Sequence, residues 1–254
     1  MRAAKFDEQM TLVEHLDELR NRIIVSAAVL VVACGLCFWQ NHLLLDIANK
    51  PLPPGFKPLT FGIAEPFMET VKISIYAGIL ISLPILLYQA YAFLLPALKP
   101  TEKQLALPFA LLIPILFMAG VVFSYFVVVP AATKFLLHYN SDQFNIQVQA
   151  SRYYSFLITT LIALGLVFQV PMGVVAVTRL GIVTPNQLSR NRRYAYLVLA
   201  IVAMLLPGTD PVTMLIELAP LLALFEFSLI LARLVGTPSD HAPPEPEPPA
   251  SPAS

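Results

Sequence analysis

The chain has 254 residues, of which 57% are hydrophobic and only 13% are charged, and its formal net charge at pH 7 is zero. A soluble domain of this length cannot bury so much apolar surface, and the mean hydropathy of +0.72 agrees with that. The composition therefore predicts an integral membrane protein, and the neutral charge balance argues against a nucleic acid as partner.

The N-terminal segment, residues 1–22, is amphipathic. Apolar residues recur every three or four positions from Phe6 to Ile23, and the opposite face carries charged residues. We expect a helix that lies at the lipid interface and presents these charges to one compartment. A simpler interpretation is a solvated face with internal ion pairs, since Glu18 and Arg22 are four residues apart. A cleavable signal peptide would instead open with basic and then apolar residues.

Six apolar stretches follow this segment. Four contain no Asp, Glu, Lys or Arg and exceed the ~20 residues that cross a bilayer, namely residues 23–45, 73–98, 104–133 and 153–178. Two later stretches are shorter or carry charge, namely residues 194–206 and 213–232, and the tight turn between them predicts a short hairpin. The sequence thus predicts an all-α fold of six transmembrane helices, the last two short, in a membrane domain over residues 23–234.

The distribution of lysine and arginine predicts the orientation of these helices. With six spans, both termini lie on the same side as the loops 96–106 and 179–194, and that side holds 11 of the 16 basic residues against 5 on the other. The excess of basic residues marks the cytoplasmic side, so we expect both termini in the cytoplasm. Residues 235–254 are rich in proline and poor in apolar residues, which predicts a disordered cytoplasmic tail.

Prolines predict the shape of the outer loops and of the spans. The outer loop at residues 46–67 contains five prolines, including Pro51, and we expect a stiff cap there. Further prolines lie inside or at the ends of the spans, at positions 84, 108, 114, 130, 171 and 220. Each removes a hydrogen bond from its helix, so we expect bent helices. Short final spans beside long, bent ones predict a concave, glove-like array.

Two acidic residues stand out at the cytoplasmic interface. Glu18 lies on the amphipathic segment, and Glu102 lies in the first turn of the third span, where a carboxylate stabilises a helix N-terminus. That structural role accounts for Glu102 taken alone. As a pair on separate segments, the two carboxylates could each bind a guanidinium through two hydrogen bonds, a geometry that lysine cannot match. A ligand with two adjacent arginines would suit them.

Several motifs carry a family resemblance. In chain order they read HLDELRNR at 15–22, PILLYQ at 84–89, AFLLPAL at 92–98, YFVVVP at 125–130, FQVP at 168–171 and LFE at 224–226. Together they resemble the TatC subunit of twin-arginine protein translocases. The resemblance implies a receptor that binds the twin-arginine signal peptides of folded cargo at its cytoplasmic surface. It also implies translocation driven by the proton-motive force with the small partners TatA and TatB, or with a bifunctional TatA.

The resemblance also implies a location and a set of site residues. TatC-like proteins are multi-pass proteins of the cell membrane, so the lipid bilayer and further TatC copies are expected partners, and no cofactor, metal or catalytic activity is expected. The positions that match the family's signal-peptide site are Glu18 and Glu102, with Arg20 and Phe93 beside them. Phe93 would give an apolar contact, and Arg20 would hold one of the two glutamates in place. Pro51 matches a proline of the first outer loop, with a role in shaping the cap.

Polar positions within the spans depart from the family in two places. Gln169 stands where many relatives have a glutamate, and Met214 stands where many have a glutamine. Those groups are associated with docking of a partner helix, so docking here would depend more on shape, or on Glu217 instead. Glu226 matches the family, and nine residues of helix place it on the opposite face from Glu217. Asp210 also matches, and both capping of the last helix and a functional role are open for it.

Two other classes of membrane protein fit the sequence less well. A small-molecule transporter commonly has paired repeats with broken helices, and no convincing repeat relates the two halves of this chain. An intramembrane protease would need a catalytic motif, and neither H-E-x-x-H nor G-x-S-x-G occurs. Cys34 and Cys37 have the spacing of a redox pair, but they lie inside an apolar stretch, so packing is their expected role.

Overall fold

The computed structural model describes residues 12–94, 100–179, 182–207 and 210–235, and most of their backbone is helical. The helices are α1 (Leu12–Trp39), α2 (Asn41–Asn49), α3 (Glu65–Leu94), α4 (Pro100–Phe123), α5 (Val129–His138), α6 (Ala150–Val167), α7 (Val170–Arg179), α8 (Pro185–Arg190), α9 (Arg192–Leu205) and α10 (Pro211–Val235). The all-α prediction is therefore confirmed. The first 11 residues and residues 236–254 of the predicted tail lie outside the described residues.

Five described segments are long and apolar enough to cross a membrane, with mean hydropathies from 1.9 to 2.5. They are His15–Trp39, Glu65–Phe93, Leu111–His138, Ala150–Thr178 and Pro211–Arg233, and they overlap the first four predicted spans and the last. The remaining predicted span coincides with α9, which has only 14 residues. At 1.5 Å per residue that helix is about 21 Å long, shorter than the ~30 Å hydrocarbon core. Length and composition thus support five spans directly, with α9 as a short sixth candidate. The expectation of a short final span is wrong, because α10 continues to Val235 and has 25 residues.

The hairpin of α9 and α10 stops well short of one end of α6. The Thr160 hydroxyl donates to the carbonyl of Pro207, in the turn before α10, across 3.3 Å. Thr160 lies ten residues into α6, which corresponds to about 15 Å of helix from Ala150. Measured along the axis of α6, Pro207 therefore lies about 15 Å from the Ala150 end of that helix.

Two of the predicted bends coincide with breaks in regular helix. A π-helical turn, Ser124–Val128, separates α4 from α5 and ends two residues before Pro130, whose missing N–H leaves a carbonyl of the preceding turn free. The fourth span is interrupted between α6 and α7, three residues ahead of Pro171. Pro84 and Pro220 instead lie inside α3 and α10. Proline thus shapes the long spans without ending all of them.

The loops at the Ala150 end form a cap tied together by hydrogen bonds. The hydroxyl of Tyr153 donates to the carbonyl of Ala48 (2.6 Å), and the hydroxyl of Tyr125 donates to the carbonyl of Ile47 (2.7 Å). Leu59 pairs with Gln149 in an isolated bridge. The carbonyl of Pro51 accepts a hydrogen bond from the Thr133 hydroxyl at 3.2 Å.

Candidate functional site

A chain of hydrogen bonds joins α1 to α3 near the N-terminal end of α1. Glu18 Oε1 accepts from Arg22 Nε (2.9 Å) and from Arg22 Nη2 (2.5 Å). Arg22 Nη1 then donates to Gln89 Oε1 on α3 at 2.8 Å. The internal Glu18–Arg22 ion pair that the spacing allowed is therefore present, and Gln89 extends it to a second helix.

The two oxygens of Glu18 have different surroundings. Oε1 carries both bonds from Arg22, whereas Oε2 is buried and has no hydrogen-bond partner among the described residues. An ionised carboxylate has about four lone-pair sites, so Glu18 retains accepting capacity on Oε2. Because a buried oxygen without a partner costs free energy, a donor that reached Oε2 would be bound favourably.

An aromatic pair lies beside this chain of hydrogen bonds. The rings of His15 and Phe93 stack with their centroids 4.4 Å apart and an interplanar angle of 18°. His15 precedes Glu18 by three residues on α1, and Phe93 follows Gln89 by four on α3, so all four side chains lie on the facing surfaces of the two helices. The result is a carboxylate about one helical turn from a stacked pair of rings.

The structure describes the surroundings of Arg20 on α1 but not the side chain of Glu102 on α4. We expect Arg20 to hold Glu18 or Glu102; its side chain is exposed and does not pair with Glu18, whose partner is Arg22, and the pairing with Glu102 stays a prediction. Arg22 is the residue that pairs with Glu18, because Arg22 lies four residues on and so on the same helix face. The backbone of Glu102 belongs to α4, but its side chain lies outside the described residues.

Gln89 and Arg22 were not predicted as site residues. Both occur in the motifs of the family resemblance, and Arg22 also has the spacing of an ion pair with Glu18. That Gln89 meets Arg22 depends on how α1 and α3 cross, which a single sequence does not reveal.

The polar residues of the fourth span and the last helix have diverse surroundings. Gln169 lies at the break before α7 and donates through Nε2 to the carbonyl of Ile113 on α4, at 3.1 Å. Met214 packs, partly buried, against the apolar cluster between α6, α9 and α10. Asp210 caps α10, because its Oδ1 accepts from the Thr213 backbone N–H at 2.8 Å.

The two glutamates of α10 lie in different environments, as their nine-residue separation predicts. Glu217 is fully buried, and neither of its carboxylate oxygens has a hydrogen-bond partner among the described residues. Glu226 accepts from the Tyr196 hydroxyl (2.5 Å) and forms an ion pair with Arg192 (3.2 Å), both on α9. Glu226 thus joins α10 to the short α9, whereas Glu217 faces the interior.

Within the described residues, no group of three or more His, Cys, Asp or Glu side chains is arranged to hold a metal ion. Cys34 and Cys37 are free thiols.

Comparisons with known proteins identify the family. A family model described as Sec-independent protein translocase protein (TatC) matches residues 14–220. The TatC protein of Carboxydothermus hydrogenoformans is 38% identical over 231 residues, which cover 90% of this chain and 95% of that relative. The TatC protein of Aquifex aeolicus is 34% identical, with 89% and 95% covered. A crystal structure of the twin-arginine translocase receptor TatC in DDM is similar with a TM-score of 0.74 at 31% identity, covering 86% of this chain and 99% of that one.

These similarities agree with the apolar helices and with the motifs. TatC is a component of a protein translocase, so the chain is a membrane protein of protein transport and not a member of a family of catalytic enzymes. The chain belongs to the TatC family of Sec-independent protein translocase proteins.

Proposed function

We propose that this chain is the core receptor of a twin-arginine translocation system, which binds the signal peptides of folded cargo at its cytoplasmic face. The observation that carries this proposal is the carboxylate of Glu18, which lies beside the stacked His15 and Phe93 rings and retains one oxygen without a partner among the described residues. Because that oxygen is buried, a guanidinium would donate to it after the atoms that cover it move aside, while the apolar part of the peptide packs on Phe93.

Glu102 supplies the second carboxylate in this proposal. Only residues 95–99 separate α3 from α4, so the helical backbone of Glu102 lies at the same end of the molecule as Phe93. Two adjacent arginines of a signal peptide would then meet two acidic residues, one on α1 and one on α4. Arg20, exposed on α1, is available to pair with Glu102.

We place the chain in the cell membrane with six spans and both termini in the cytoplasm. The excess of Lys and Arg on the side of the termini supports this orientation. The fifth span is α9, which is short because the Pro207 turn lies at the level of Thr160. The position of the Pro207 turn part-way along α6, at the level of Thr160, supports the concave, glove-like shape.

Translocation in this proposal needs single-span partners, TatA and TatB or a bifunctional TatA, further TatC copies and the proton-motive force. Gln169 and Met214 offer a partly buried polar group and an apolar surface for docking. Asp210 and Glu226 act by fixing α10 and α9 in place. Glu217 is enclosed, so a partner helix would reach it only after α10 moves.

The binding of a labelled twin-arginine signal peptide to the purified protein in detergent tests the proposal. Glu18→Ala and Glu102→Ala should each weaken binding by tenfold or more, since a hydrogen bond to a charged group contributes about 1.5–3 kcal/mol. A Lys-Lys peptide should bind poorly to the parent protein. Asp142→Ala, which removes an exposed carboxylate in the cap, is the matched control and should bind like the parent. Equal binding by the parent and the Glu18→Ala, Glu102→Ala double variant would overturn the proposal.

A further inference from the structure

Arg22 connects Glu18 to a second helix and does so through three of its nitrogen atoms. Nε and Nη2 both donate to Glu18 Oε1, and Nη1 donates to Gln89 Oε1. The guanidinium is planar and rigid, so fixing one end of its fork on α3 fixes the other end against Glu18. Both Glu18 and Arg22 are mostly buried, with side-chain exposures of 20% and 25%.

This arrangement determines which oxygen of Glu18 lacks a hydrogen-bond partner among the described residues. Oε1 accepts two hydrogen bonds from Arg22, whereas Oε2 has no partner among the described residues. A carboxylate without such an anchor could rotate and exchange its oxygens. With Oε1 held by Arg22, the accepting capacity stays on Oε2.

We propose that Arg22 and Gln89 are positioning residues of the signal-peptide site, which hold Glu18 so that Oε2 receives a cargo guanidinium. The inference rests on the proposed receptor function and adds two residues to it. Neither residue contacts the cargo. Gln89 acts through Arg22, and Arg22 acts through Glu18.

The fixed orientation of Glu18 affects how the site discriminates between arginine and lysine. Arg22 already neutralises most of the charge of Glu18, so net charge attraction for a cationic peptide is weak here. Recognition then depends on the direction of the hydrogen bond to a fixed oxygen, and the planar guanidinium meets such an acceptor more favourably than a rotating ammonium group. Releasing the anchor should therefore reduce the preference for Arg-Arg over Lys-Lys peptides.

Substitution of Gln89 tests the proposal without touching Glu18. Gln89→Met keeps the length of the side chain but removes the acceptor for Arg22 Nη1, whereas Gln89→Glu keeps an acceptor oxygen. Tyr88→Phe, at an exposed neighbouring position on α3, is the control. The readouts are the dissociation constants of the Arg-Arg and Lys-Lys peptides for the full-length protein in detergent, together with Tm.

We expect Gln89→Met to weaken binding of the Arg-Arg peptide about tenfold, the factor associated with one hydrogen bond to a charged group. Its Tm should fall slightly, because the hydrogen bond from Arg22 Nη1 is lost. Binding of the Lys-Lys peptide should change little. Gln89→Glu should keep or strengthen Arg-Arg binding, and Tyr88→Phe should match the parent.

Different results would contradict the positioning role of Gln89 and the receptor function. If the parent binds, Glu18→Ala does not, and Gln89→Met binds like the parent, then the receptor function stands and the positioning role is wrong. Tighter binding by Gln89→Met would show that Arg22 competes with the cargo, which also overturns the positioning role. If the parent shows no preference for the Arg-Arg peptide, the receptor function fails and the inference fails with it.

Discussion

Gly78 on α3 lies directly against the backbone of Cys34 on α1. A Cβ atom added to Gly78 would come within 2.6 Å of the Cys34 Cα atom and within 2.7 Å of its backbone nitrogen. Since α1 packs chiefly along α3, this contact sets how closely the two helices that carry Glu18 and Gln89 approach each other.

Gly78→Ala should therefore destabilise the protein. The added methyl group meets backbone atoms that cannot rotate away, and overpacking of this kind costs about 1–3 kcal/mol. Thermal unfolding in detergent should show a lower Tm. Gly35→Ala is the matched control, because nothing lies within 4 Å of its added Cβ, and it should leave Tm unchanged or raise it. Equal stability of the two variants would contradict close backbone packing at Gly78.

Glu217 and Glu226 should respond in opposite directions to the same substitution. Glu217→Met removes a buried carboxyl group that lacks a partner among the described residues, and such a group costs about 1–3 kcal/mol. Its Tm should rise. Glu226→Met removes the partner of Tyr196 and Arg192, so its Tm should fall. A lower Tm for Glu217→Met would mean that its carboxyl group makes a stabilising contact.

Asp210 should act as a helix cap. Asp210→Ala removes the acceptor for the Thr213 N–H and should reduce stability by about 1 kcal/mol. Asp210→Asn keeps a capping oxygen and should retain both Tm and the transport of a twin-arginine reporter. Normal Tm combined with lost transport in Asp210→Asn would instead assign the carboxylate a role in function.

The sequence predicted the helices well because charge marks their ends. Stretches free of Asp, Glu, Lys and Arg located the long spans, and the proline and glycine turn at 207–211 located the hairpin of α9 and α10. Residues 194–206 also predicted that α9 is short. By length and composition, five described segments qualify as spans and α9 does not.

Contacts between helices were harder to predict. Periodicity placed Glu18 and Arg22 on one face, but the partner of Arg22 on α3 depends on the crossing of two helices. The four-residue spacing did predict the ion pair of Glu18 with Arg22, because both residues belong to one helix. The spacing of Glu217 and Glu226 predicted different faces correctly, yet it could not say which glutamate faces the interior.

Crosslinking from position 93 tests the receptor proposal most directly. A photoreactive phenylalanine analogue at Phe93, in membranes, should crosslink to a cargo that carries a twin-arginine signal peptide. The adduct should disappear when the two arginines are changed to lysine, and it should be absent with the analogue at Phe126, which is exposed on the π-helical turn. No adduct at position 93, or equal adducts with the Arg-Arg and Lys-Lys signals, would contradict recognition of the cargo at this site.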